Sequence, residues 1–88
     1  MDAVSMKCDG AARRAVSTGN PDDVLEVLVR VIGLLTDVRV TLEKAGLEVH
    51  STAGPIATGS IQARKVGALA ALPFVRRVEL SKTLHREA

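Results

Sequence analysis

The stretch ALAALPFVRRVE, residues 68–79, decides the fold. Its first half is Ala and Leu, which favour helix. Pro73 cannot continue a helix, and it biases Leu72 away from helical geometry. The second half opens FVRRVELS (74–81), a valine-flanked strand that carries Arg76, Arg77 and Glu79. A helix stopped by proline and followed at once by a strand is the closing half of an α-then-β unit. Strict alternation separates Val75, Arg77 and Glu79 from Phe74, Arg76, Val78 and Leu80. Which set faces the core stays open, because a turn after Pro73 can shift the register.

Working back from there, ARKVGALAALP (63–73) places Val66, Leu69 and Ala70 on one helical face, with Gly67 as its weak point. IATGSIQ (56–62) and LEVHST (47–52) read as strands, the former weakened by Gly59. The short AGP (53–55) between them makes an antiparallel hairpin. TDVRVTLEKAG (36–46) is the first helix of this set. Thr36 suits its cap, Asp37 its first turn, and Gly46 the position after its end. Leu35, Val38, Leu42 and Ala45 form its apolar stripe. VLEVLVRVI (24–32) alternates, with Leu25, Val27, Val29 and Val31 turned to the core.

The order is therefore β-α-β-β-α-β. It predicts an α+β, ferredoxin-like fold: a four-stranded antiparallel sheet with two helices on one face. The other face is left open, with Glu26, Leu28, Arg30, Glu48 and His50 on it and Thr58 as a sixth candidate. Residues 1–23 are rich in Gly, Ser, Asp and Arg, and GNPDD (19–23) is a boundary signal. They are expected to form a flexible arm, with Ala11–Ser17 as a candidate short helical turn. The domain is then 24–81, and 82–88 is an extended C-terminal tail.

Composition narrows the function. An 88-residue chain with 47% apolar residues fits one small domain. Phe74 is the one aromatic, so bases would find almost no stacking platform. The net charge of +2 is spread among acids rather than drawn into a phosphate-binding stripe, and no nucleic-acid partner is expected. The opening MDAVSMKCDG has no apolar signal core, and no run approaches a membrane span. A cytoplasmic protein without a membrane partner is the expectation.

Catalytic and metal motifs are weak. Cys8 is alone, so there is neither an internal disulfide nor a CxxC pair. GPIATGS (54–60) has phosphate-loop glycines but lacks the lysine, and it lies in a hairpin. His50 and His85 sit on different elements without a second ligand pair. Ser17, Ser51, Ser60 and Ser81 have no nucleophile elbow. Glu26, Glu48 and Glu79 could converge on the open face, but acid–base work needs a pocket that a small open sheet does not offer. Neither an enzyme nor a cofactor is expected.

The second half of the chain carries a resemblance. PIATGSIQ, then ALAALP, then Val75-Arg76-Arg77-Val78-Glu79 resemble the propeptide domains of subtilisin-like serine proteases, the I9 inhibitor family. VLEVLVRVI and LEKAGLEVHST resemble that family's opening strand, helix and glycine-led second strand. The resemblance covers about residues 24–88. It implies a stand-alone inhibitor or folding chaperone of a subtilisin-like serine protease. The open sheet would pack on two protease helices, whose N-termini attract carboxylates. Glu79 matches the family's acidic position, with Glu48 second and His50 beside it. The tail SKTLHREA (81–88) would lie in the substrate cleft by strand addition. With Glu87 or Ala88 at the cleavage subsite, Leu84 or His85 falls near the upstream apolar pocket, Leu84 being the better fit, and Arg86 lies between. The alternatives are a non-inhibitory ferredoxin-like interaction module, including a homodimer through the sheet face, and a small-ligand regulatory domain.

Overall fold

A computed structural model describes residues 6–33 and 35–84. Helix α1 (Gly10–Thr18) leads into strand β1 (Val24–Val31) and helix α2 (Leu35–Lys44). The hairpin β2 (Glu48–Ala53) and β3 (Ile56–Gln62) follows. A 3-10 turn (Ala63–Lys65), helix α3 (Val66–Ala70) and β4 (Val75–Leu84) follow in the described residues. The strands form one sheet in the order β2-β3-β1-β4, with every neighbouring pair antiparallel. This α+β architecture is consistent with the expected ferredoxin-like fold.

The core follows from strand alternation. Leu25, Val27, Val29 and Val31 of β1 are buried, and so are their neighbours Ile61, Gly59 and Ala57 on β3. Ala12, Leu42, Val66, Leu69 and Ala70 join the same cluster from the helices. Leu25, Leu42 and Leu69 are at most 1% exposed, so each contributes the full burial of an aliphatic side chain, about 1.5–3 kcal/mol.

Two glycines fix the frame. Gly46 ends α2 with φ +112°, the left-handed geometry that suits a residue after a helix. Gly59 lies on the core side of β3, where an added Cβ would come 2.1 Å from the Glu48 main-chain oxygen. Its missing side chain lets β2 approach β3. The turn between those strands is Gly54-Pro55, and Gly54 also has a positive φ of 58°.

The structure departs from the sequence-based expectation in four places. The helical turn expected at Ala11–Ser17 is present within the nine-residue α1, but the arm expected to be flexible is packed from Cys8 onward, with Cys8 and Ala12 6% and 1% exposed. Asp9 explains the difference, since its carboxylate caps α1 at the Ala12 N–H, 2.8 Å away. The helix expected over 63–73 is a 3-10 turn followed by only five helical residues, ending three before Pro73. The Leu72 N–H tightens the exit by bonding the Leu69 carbonyl at 3.2 Å. The second strand is Glu48–Ala53, shifted by one residue from the expected 47–52. Finally, β4 runs on to Leu84, past the expected tail boundary at 82, because Val24, Leu25 and Glu26 offer it partners.

The side of β4 left open by its sequence is set by a bulge. Arg77 faces Arg30 and Val75 faces Val31, so Arg76 is the extra residue. Val75 and Val78, three apart, both reach the core at 1% and 0% exposure. Arg77 and Glu79 fall on the opposite face.

Candidate partner-binding face

The face away from the core is a grid set by register. Ala53, Ile56, Arg30 and Arg77 form one row across the four strands, and Ser51, Thr58, Leu28 and Glu79 the next. Glu48, Ser60, Glu26 and Lys82 form a third. None of these residues whose side chains are described is buried. Glu26, Leu28, Arg30, Glu48 and Thr58 thus share one face, as their alternation predicts. His50 reaches it by another route: it is the extra residue of a bulge between Val49 and Ser51.

Polar pairs organise the surface. Arg77 Nε donates to Glu79 Oε1 at 2.9 Å. Both side chains are about half exposed, at 55% and 41%, so water screens the pair and it adds little stability, about 0–1 kcal/mol. Its role is geometric, since it ties one carboxylate oxygen of Glu79 to its own strand. On the far side, His50 Nε2 lies 3.0 Å from Ser60 Oγ, and the Ser51 and Thr58 hydroxyls lie 2.5 Å apart.

Glu79 and Glu48 share this face, at its opposite edges. They stand on the two edge strands, three strand spacings apart, or roughly 14 Å. Glu26 stands between, paired in register with Ser60 and Lys82. Alternation placed Glu26 on the open face, yet the acidic family position did not single it out. Leu84 is the last described residue of β4, paired with Val24. His85, Arg86, Glu87 and Ala88 lie outside the described residues.

His50 and Ser60 are exposed to intermediate and lie on an open sheet, a setting that does not desolvate a reacting group. A shallow hollow of about 130 Å³ lies at the adjoining end of the sheet, among Gly46, Glu48, Ser60, Gln62 and Lys65. Among the described residues, no three His, Cys, Asp or Glu side chains group as metal ligands. None of the helices among them is long and apolar enough to cross a membrane. No family model, curated protein or solved structure matches the chain.

Proposed function

We propose that this chain is an inhibitor, or folding chaperone, of a subtilisin-like serine protease, acting by binding and not as an enzyme. The uncovered sheet face docks on the protease, Glu79 meets a helix N-terminus, and the C-terminal tail enters the substrate cleft. The reading places the protein in the cytoplasm with its target. Its sequence support is the resemblance over about residues 24–88. One structural observation carries it: β4 is an edge strand with Glu79 on the uncovered face, and the same strand runs to Leu84, directly ahead of the tail. Docking the face would therefore bring the end of β4, and the residues that follow it, to the same partner.

Amide chemical-shift mapping with an inactivated subtilisin-like protease tests the docking face. Shifts concentrated at Leu28, Thr58, Arg77 and Glu79 are expected. Shifts confined to α1, α2 and α3 would contradict the reading. Concentration-dependent self-association through the same residues, without a protease response, would favour the homodimeric interaction module instead.

A further inference from the structure

The sheet has two edge strands, β2 and β4. An edge strand presents unpaired N–H and C=O groups that can template pairing with another chain. On β4 the residues just before α1 take up two of these groups, the Val78 carbonyl and the Leu80 N–H. Cys8 forms a parallel bridge with Val78, and the Asp9 N–H donates to the Val78 carbonyl at 3.1 Å. Asp9 Oδ1 accepts the Leu80 N–H at 3.4 Å while also capping α1 through the Ala12 N–H at 2.8 Å. Lys7 Nζ pins the segment at its other end by donating to the Leu72 carbonyl at 2.9 Å. The burial of Cys8 and Ala12 holds the segment down.

We propose that residues 7–9 are an edge strap that closes the outer edge of β4 to strand addition at Val78–Leu80. Asp9 is its key, because one carboxylate joins the start of α1 to the edge of the sheet. The strap lies along the outer edge, leaving the open face with Glu79 uncovered. It is therefore independent of what that face binds.

Three substitutions at one position test this. Asp9→Asn keeps a cap oxygen and is expected to behave as the wild type. Asp9→Ala removes both side-chain acceptor contacts, and exchange of the Leu80 amide should rise about fivefold. Asp9→Pro also removes the N–H given to Val78, and the Asp9 φ of −72° already suits proline. At matched concentration, sedimentation should show a larger mass for Asp9→Pro than for the wild type. A folded Asp9→Pro chain with wild-type mass would overturn the strap. Should Asp9→Pro not fold, unchanged Leu80 exchange in Asp9→Ala would overturn it equally.

Discussion

Arg77 and Glu79 are joined side by side on the uncovered face of β4, Nε to Oε1 at 2.9 Å, while Val78 between them is fully buried. One strand thus offers a held carboxylate outward and an aliphatic anchor inward. The outward half is available to a partner, and the inward half fixes where that carboxylate sits.

For Glu79, the expectation is a loss of binding without a loss of fold. Glu79→Gln should weaken protease inhibition about tenfold if its charge meets a helix N-terminus. Thermal stability should move by less than about 0.5 kcal/mol, because the side chain is exposed. Inhibition assays beside thermal melts separate the two. Wild-type inhibition in Glu79→Gln would remove this residue from the interface.

Gly59 is the reverse case. Gly59→Ala would drive a Cβ against the Glu48 main chain, 2.1 Å from its oxygen, and that backbone cannot swing aside as a side chain could. A loss of about 1–3 kcal/mol is expected, seen as a lower denaturation midpoint. An unchanged midpoint would mean that β2 is not seated so closely on β3.

Leu69 is 0% exposed within α3, a helix of only five residues. So short a segment depends on packing far more than on its own helical propensity. Leu69→Ala should cost about 2–5 kcal/mol in urea titration, enough to unfold much of a small domain. A loss below about 1 kcal/mol would show that α3 contributes little to the core.

The element order was readable because most strands keep a strict period of two. Leu25 through Val31 alternate without interruption, and this alone places Glu26, Leu28 and Arg30 on the far face. Legibility failed where pairing, not local pattern, sets direction. Arg76 and His50 are bulge residues, and a bulge exists only against a partner strand. Val75 and Val78 therefore look out of phase in sequence and share the core in space. Asp9 failed for a related reason: its second contact is Leu80, 71 residues away, and Cys8 and Ala12 are too small and too few to announce a packed segment. Gly59 was visible as a weak point in a strand, but its cause, the close Glu48 backbone, lies on another strand.

The open face was largely legible, its acidic pairing was not. Glu48 and Glu79 carry the same chemistry in the sequence, and only the strand order β2-β3-β1-β4 shows them at opposite edges. Glu79 alone is on the strand that leads to the tail.

The central claim is that β4 presents Glu79 and the tail to one protease. Its most direct measurement is an inhibition titration of a subtilisin-like protease with the full chain beside a chain ending at Leu84, which keeps the whole of β4. The account predicts inhibition in the nanomolar to micromolar range by the full chain and a marked loss without residues 85–88. Equal inhibition by both chains, or none by the full chain, would contradict it.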